Sequence, residues 1–216
     1  LAEIFQLLHT PQWSPRFNIA PTQFVGGIRE EDGQRVWTLL KWGLIPSWAK
    51  VSTIGNKLIN ARGETVHEKP SFRAAFKRRR CLIPVDGFYE WQRLGNGGRI
   101  KQPFHIHRVD RQPFAFAGLW EHWSAPDGSE VESCTVITTE PNKLLATIHD
   151  RMPVILEPED YDVWLDPEVE AESLRALIRP HADIGFEMYP VSTEVNNARN
   201  ERPGLDEPEL RQQGLF

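Results

Sequence analysis

Short β-type segments, separated by turns and with few helices between them, most constrain the fold of this sequence. Eight segments carry the apolar, β-branched and aromatic residues typical of strands: 23–29, 35–42, 81–85, 104–109, 114–121, 134–139, 154–156 and 186–191. Helical spacing of apolar residues is confined to five short stretches: 1–9, 71–79, 142–147, 157–165 and 170–178. Because too few helices lie between successive strands to serve as crossovers, the pattern predicts an α+β fold with a mainly antiparallel, barrel-like sheet surrounded by helices.

Length and composition predict one domain with a substantial core. The chain has 216 residues, of which 40% are hydrophobic, a size typical of a single domain. After Val195 the sequence becomes polar and is interrupted by prolines, so we expect a domain over 1–195 and a surface tail over 196–216. An Asn-Gly-Gly sequence at 96–98 predicts a hairpin turn.

The two cysteines and the apolar runs limit where this chain works. Cys81 and Cys134 are too few for a disulfide framework or a four-ligand zinc site, so we expect a reducing, cytoplasmic location. No apolar run approaches the roughly 18 residues of a membrane span. We expect a monomer that needs neither a metal nor another cofactor and has no membrane partner.

Charge is divided unevenly along the chain. Residues 1–110 contain 17 Lys+Arg and 9 Asp+Glu, whereas residues 111–216 contain 8 and 21. A basic first half can present a phosphate-binding face although the whole chain has a net charge of -5. Mutual neutralisation of the two halves in the fold is the alternative, and charge does not decide between them.

Three segments place polar residues in apolar surroundings, while the common nucleotide, zincin and hydrolase motifs are absent. These segments are 58–62, 87–91 and 148–153. In the second, Glu90 lies between two aromatic residues that would desolvate a carboxylate and suit it to proton transfer. In the third, His149 follows an apolar stretch. A strand residue facing water and a structural histidine remain the alternatives.

Asn60 and Arg62 would lie on the same face of a strand, where an amide and a guanidinium suit an anionic ligand. A satisfied buried pair is the other interpretation. The basic run 77–80 ends a predicted helix, where a solvated face is expected before phosphate contact. Among eight tryptophans, one or two exposed ones near Arg62 or Lys50 would stack on unpaired bases.

Six blocks of this sequence, taken in order, closely resemble the SOS response-associated peptidase family, the abasic-site processing proteins. The blocks are PRFNIAPTQ (15–23), KWGLIPSWA (41–49), INARGET (59–65), RCLIPVDGFYEW (80–91), FAGLW (116–120) and IHDRMP (148–153). They extend over most of the chain, from Trp13 to Leu165.

The resemblance implies DNA-damage chemistry that begins at a cysteine exposed when the initiator methionine is removed. Its α-amine attacks the aldehyde of an abasic site in single-stranded DNA, and its thiol then closes a thiazolidine. By this resemblance, Asn60 would bind the opened sugar and help to place the cysteine. Glu90 would move protons at the amine and assist methionine removal, an autopeptidase activity. His149 would be the general acid/base during crosslinking and its reversal.

The resemblance also implies that single-stranded DNA with abasic sites is the partner, met at the damaged nucleoid. The implied roles are phosphate contact for Arg62 and Arg151, packing near the DNA path for Trp48 and Trp91, support of the site for Thr138, and strand unstacking for Pro21.

One departure from the family concerns the nucleophile, since the family opens with Met-Cys-Gly-Arg-Phe and this sequence opens at Leu1. Cys81 and Cys134 are internal and have no free α-amine, so we expect a segment ahead of Leu1 to carry the cysteine. Two alternatives remain: a module that binds single-stranded or modified DNA without bonding to it, and a hydrolase acting in trans through Glu90 and His149.

Overall fold

The computed structural model describes residues 1–95 and 100–209, and within them the chain is mainly β-sheet. Eleven strands are present in these two ranges: β1 (Phe24–Glu31), β2 (Gln34–Trp42), β3 (Asn60–Arg62), β4 (Arg80–Val85), β5 (Gly87–Leu94), β6 (Ile100–Arg108), β7 (Phe114–Ser124), β8 (Glu130–Thr139), β9 (Met152–Pro153), β10 (Ile155–Leu156) and β11 (Phe186–Pro190).

The helices of the described ranges are short. The α-helices are α1 (Ala2–Phe5), α2 (Arg73–Arg78), α3 (Tyr161–Leu165) and α4 (Ala171–Leu177), and the 3-10 helices are Ser52–Lys57, Leu145–Thr147, Pro158–Asp160 and Thr193–Asn196. None of them is long and apolar enough to cross a membrane.

Five strands close into a barrel in the order β1-β2-β8-β7-β4, with β4 returning to β1. The pairs are antiparallel except for β2 with β8, which is parallel. Beyond the end of β2, strand β3 pairs with β8 in parallel, and β9 and β10 pair with β8 and β7. The predicted α+β fold with a mainly antiparallel, barrel-like sheet is confirmed.

A second, three-stranded antiparallel sheet has the order β11-β6-β5. Strand β5 was not among the predicted strands, because its aromatic residues are interrupted by Glu90 and followed by Gln92 and Arg93, so no continuous apolar run is present. The turn predicted at 96–98 lies outside the described residues, but β5 and β6 pair up to Leu94 and Ile100 on either side of it.

The barrel strands bury residues on both faces. One cluster includes residues from all five barrel strands, among them Val25, Leu40, Cys81, Phe116 and Val136. Residues of the opposite parity on the same strands pack against the helices in a second cluster that is also buried. Apolar residues therefore occupy consecutive positions along β4 and β7, which explains why those two segments lack the alternation of a half-buried strand.

All five predicted helices are shorter in the structure, and two of them are much shorter. The helix predicted over 1–9 spans only Ala2–Phe5, because Gln6 adopts a left-handed conformation with φ 52° and ends it. The stretch 142–147 forms one 3-10 turn over Leu145–Thr147. The other three helical stretches are present with shorter bounds.

The basic run 77–80 does not form a uniformly solvated face. Arg80 is 3% exposed, and its guanidinium donates to the carbonyl oxygens of Phe76, Lys77, Trp164 and Asp166 at 2.5 to 2.8 Å. Burial lowers its pKa, and the carbonyls hold the cation in place. The expectation of a solvated or phosphate-contacting side chain is therefore wrong for Arg80, which ties the end of α2 to the end of α3.

The described part of the expected tail, 196–209, is largely exposed but attached to the domain. Leu205 is 1% exposed and packs with Val191 and Val195. The backbone of Glu209 donates to Pro190 at the end of β11. The predicted boundary at residue 195 stays a prediction, and the packing of Leu205 supplies a way to test it.

Candidate active site

Glu90 and His149 face each other across the space between β5 and the loop that follows the Leu145–Thr147 turn. Glu90 Oε2 lies 4.0 Å from His149 Nε2, and the two side chains are 22% and 35% exposed. Gln92, two residues along β5, donates to the carbonyl oxygen of Thr147 and holds the strand against that turn. The two segments singled out for proton transfer therefore meet in space.

Burial raises the pKa of Glu90 above the usual range for a glutamate. The positive charge of His149 and a backbone hydrogen bond from Trp91 act in the opposite direction but do not cancel the effect of burial. A carboxyl group whose pKa is shifted upward can hold and release a proton nearer neutral pH. This favours the proton-transfer interpretation of Glu90 over a strand residue facing water.

The imidazole of His149 is held by its own loop. The backbone N–H and the backbone carbonyl oxygen of Arg151 lie 3.1 and 3.0 Å from Nδ1, so the Arg151 backbone holds this nitrogen in either tautomer. The other ring nitrogen, Nε2, faces Glu90. Asp150 Oδ1 lies 3.5 Å from Nδ1, and its side chain is 92% exposed. The ring thus presents its Nε2 edge to the carboxylate.

Arg151 is engaged by the protein on two sides. Its Nη1 and Nη2 donate to the two carboxylate oxygens of Glu64 at 2.5 and 2.9 Å. Its Nη2 also donates to the Thr138 carbonyl oxygen at 2.7 Å and to Thr138 Oγ1 at 3.3 Å. Thr138, which is 8% exposed, therefore joins the His149 loop to β8, and its supporting role stays a prediction.

Strand β3 carries the remaining polar pair. Asn60 and Arg62 are exposed on one face with Ala61 buried between them, as the two-residue spacing predicted. Arg62 is paired with Thr138 in the register of β3 and β8, so β3 lies beside the strand that anchors Arg151. In the described ranges Arg62 forms no ion pair, which leaves its guanidinium available to an anion.

The aromatic and proline positions predicted to contact DNA are spread more widely. Trp91 donates to Asn196 Oδ1 at 2.6 Å and packs against Val191, Val195 and Leu205, so it joins β5 to the C-terminal segment. Trp48 is 59% exposed. Pro21 is exposed in the turn before β1, next to Thr22, whose φ is 76°. Trp91 follows Glu90 in β5 and its backbone hydrogen-bonds that carboxylate, whereas no hydrogen bond among the described residues joins Trp48 or Pro21 to Glu90 or His149.

Trp48 lies in a loop anchored at the far part of β8. The loop is fixed by Trp123, which donates to the Ala49 carbonyl oxygen, and by Ser133, which accepts from the Ile45 backbone. Ser133 precedes Thr138 by five residues on the same strand, roughly 17 Å at the rise of a β-strand.

The charged halves of the chain partly neutralise each other. Ion pairs that join the two halves include Arg16–Glu201, Arg29–Glu132, Arg35–Asp162 and Arg79–Glu121. Arg62 forms no such pair in the parts of the chain that are described. The structure therefore contains features of both interpretations of the charge asymmetry.

The two internal thiols are inaccessible to reactants, because Cys81 and Cys134 are both fully buried in the barrel. Burial raises the pKa of both thiols above the ordinary value, so neither is a reactive thiolate at neutral pH. Among the described residues, no group of three or more His, Cys, Asp or Glu could hold a metal ion.

Glu64 is the site residue that the sequence analysis missed. It lies within the INARGET block but received no role there, because an exposed glutamate after a strand carries no distinctive pattern. Its two hydrogen bonds join residues 87 positions apart. Only the fold brings those residues together.

Comparison with known proteins supports a single family. The family model for SOS response associated peptidase (SRAP) matches residues 1–198. The abasic site processing protein YoqW of Bacillus subtilis (strain 168) is 44% identical over 94% of this chain and 91% of its own length. The abasic site processing protein HMCES of Xenopus tropicalis is 38% identical, over 80% of this chain and 57% of its own length.

A solved structure agrees with these matches. The crystal structure of a protein from Bacteroides thetaiotaomicron superposes with a TM-score of 0.79 and 29% identity, covering 88% of this chain and 82% of that chain. Sequence motifs, site geometry and fold thus lead to one conclusion: the chain belongs to the SOS response associated peptidase family.

Proposed function

We propose that this chain processes abasic sites in single-stranded DNA by forming a covalent crosslink to them. The observation that carries the proposal is the pair of Glu90 and His149 at 4.0 Å, a carboxyl group with a raised pKa facing an imidazole. Relatives that share most of this chain's length are named abasic site processing proteins, which agrees with this chemistry.

The reaction needs several proton transfers near neutral pH. The α-amine of an N-terminal cysteine adds to the aldehyde carbon of the opened sugar, and loss of one water gives an imine. The cysteine thiol then adds to the imine carbon, its proton passes to nitrogen, and a thiazolidine is formed. Removal of the initiator methionine beforehand is hydrolysis of one peptide bond.

Each group at the site has a defined part in this scheme. Glu90 accepts a proton from the attacking amine and returns one to the leaving water. His149 exchanges a proton with the sugar oxygen through Nε2. Asn60 donates its amide to the sugar, and Arg62 contacts a phosphate; Arg151, whose Nη groups bind Glu64 and Thr138, would reach a phosphate only from the edge of that pair. Cys81 and Cys134 are internal and buried, so neither can supply the α-amine that this scheme needs.

The remaining contacts guide the DNA strand toward Glu90 and His149. Exposed Trp48 provides a stacking surface for an unpaired base, and Pro21 is the wedge at the turn before β1. Trp91 supports β5 next to Glu90, and Thr138 supports the His149 loop from β8.

The test is a mass spectrum of the protein expressed with its native N-terminus and mixed with a single-stranded oligonucleotide that contains one abasic site. We expect a denaturation-resistant species heavier by the oligonucleotide less one water. Glu90→Gln, which keeps the shape but not the titrating oxygen, should slow its formation by at least about 100-fold.

A matched control is available in another carboxylate–imidazole pair, Glu187 with His107 at 3.4 Å. Glu187→Gln removes the same charge outside the site and should form the adduct at the wild-type rate. Binding without any mass increase would refute crosslinking and support the non-covalent DNA-binding alternative. In that case the affinity should fall with salt, with a logarithmic slope of about -0.7 per phosphate contacted.

A further inference from the structure

We propose that Glu64 is a positioning residue for His149, acting through the side chain of Arg151. This inference rests on the function proposed above, in which His149 is the acid/base, and it assigns a task to a residue outside the reacting atoms.

The first step is the contact between Glu64 and Arg151. Two parallel hydrogen bonds of 2.5 and 2.9 Å join the carboxylate to Nη1 and Nη2. A bidentate pair of this kind fixes the orientation of the guanidinium plane as well as its position. Hydrogen bonding from Arg151 lowers the pKa of Glu64, so the carboxylate stays charged at neutral pH.

The second step is the connection to the barrel. The Nη2 group that binds Glu64 also donates to Thr138 O, at the end of β8. Glu64 is held at the same place, because the backbone of Gly63 donates to that same carbonyl oxygen at 2.8 Å. The guanidinium is thus clamped between the turn after β3 and the end of β8.

The third step leads from Arg151 to the imidazole. The backbone N–H and the backbone carbonyl oxygen of Arg151 both lie within hydrogen-bond distance of His149 Nδ1, at 3.1 and 3.0 Å. Only Asp150 separates the two residues. An arginine whose side chain is clamped to β8 holds its own backbone, and that backbone orients the ring toward Glu90. Glu64 is therefore connected to Nε2 through one side chain and one backbone hydrogen bond.

Loss of Glu64 would weaken this arrangement for a physical reason. The Arg151 side chain is only 21% exposed, and its Nε is buried without a hydrogen-bond partner among the described residues. Without the carboxylate, the guanidinium gains by turning toward water. The loop backbone then no longer holds a single orientation of His149.

The first experiment measures the ring directly and needs no DNA. Nitrogen NMR of the protein, with His149 assigned by comparison with His149→Gln, reports which ring nitrogen carries the proton. We expect the neutral ring of the wild type to hold one predominant tautomer, and Glu64→Ala to show a mixture of both tautomers. Glu64→Gln, which retains one acceptor oxygen, should give an intermediate result.

The matched control is Asp110→Asn. Asp110 forms two hydrogen bonds to Arg108, and its side chain is 50% exposed, compared with 48% for Glu64. This variant removes a similar carboxylate from a similar pair, and the His149 spectrum should match the wild type. Thermal unfolding of all variants separates a local change from a loss of fold.

The second experiment measures the rate of adduct formation in a double-mutant cycle. We expect Glu64→Ala to slow the reaction by about 10-fold to 100-fold, because a misplaced catalytic group has an effect of this size. In an Arg151→Ala background the same substitution should change the rate by less than about 2-fold, since Glu64 acts only through Arg151.

The outcomes distinguish the two proposals. An unchanged His149 tautomer in Glu64→Ala, or independent effects of Glu64 and Arg151 on the rate, would overturn the positioning role and leave the crosslinking function standing. A changed tautomer in a protein whose wild type forms no adduct would support the positioning role and refute the crosslinking function.

Discussion

Glu90 lies where its ionised form is poorly solvated, so the folded state is destabilised when this carboxyl group is charged. Desolvation is the largest cause of its raised pKa, ahead of the opposing attraction of His149. Because the pKa in the folded protein exceeds that in the unfolded chain, the folded state binds the proton more tightly. The stabilisation of the folded state by this proton on Glu90 is fully present below the pKa of Glu90 in the unfolded chain. It is lost as the pH rises through the pKa of Glu90 in the folded protein.

A prediction follows at the residue scale. Glu90→Gln should unfold at a higher temperature than the wild type at about pH 8, and at nearly the same temperature at about pH 4, where both are neutral. Thermal unfolding across this range checks it. Equal melting temperatures at both pH values would show that the carboxylate carries no desolvation cost.

Strand β7 is the element that holds the barrel together, since it pairs with β4, β8 and β10. At Gly118 it comes close to β4: a Cβ at this position would lie 2.9 Å from both Cys81 Sγ and Ile83 Cδ1. The glycine is therefore required by space, because the barrel interior has no room for a methyl group there.

Gly118→Ala should accordingly destabilise the protein by about 1 to 3 kcal/mol, the usual cost of overpacking. Urea denaturation measures it. Ile83→Val removes one of the crowded methyl groups, so the two substitutions together should cost less than the sum of their separate effects. Strict additivity would mean that the crowding is relieved elsewhere.

At the scale of the whole molecule, the C-terminal segment and the stretch before β1 hold each other. Asn18, 5% exposed, donates its amide to the carbonyl oxygens of Val195, Asn197 and Asn200. Tyr89, next to Glu90, donates to the Phe17 carbonyl oxygen. The segment after residue 195 thus contributes to the surroundings of β5, the strand that carries Glu90.

We therefore expect residues beyond 195 to belong to the cooperative unit. Leu205→Ala removes a side chain that is 1% exposed and should cost about 2 to 5 kcal/mol. The control Glu207→Ala changes an exposed neighbour and should stay within about 0.5 kcal/mol of the wild type. Equal urea midpoints for the two variants would place the boundary at residue 195, as the sequence predicted.

Several features of this protein could be predicted from local order alone. Strand and helix patterns depend on neighbouring residues, so the α+β barrel-like class and most strand positions were accessible. Asn60 and Arg62 were correctly placed on one strand face because side chains alternate along any strand. The family motifs occur in a linear order, and this order led to the family before any geometry was known.

The closing of the barrel, the burial of Arg80 and the meeting of Glu90 with His149 were decided by tertiary structure alone. Each depends on which distant residues become neighbours, and the pKa of Glu90 depends on how much water those neighbours exclude. Glu64 shows this most clearly: in the sequence it is an ordinary exposed glutamate, and its partner Arg151 lies 87 residues away. Long-range contact and desolvation are properties of the packed chain, and a local sequence pattern contains neither.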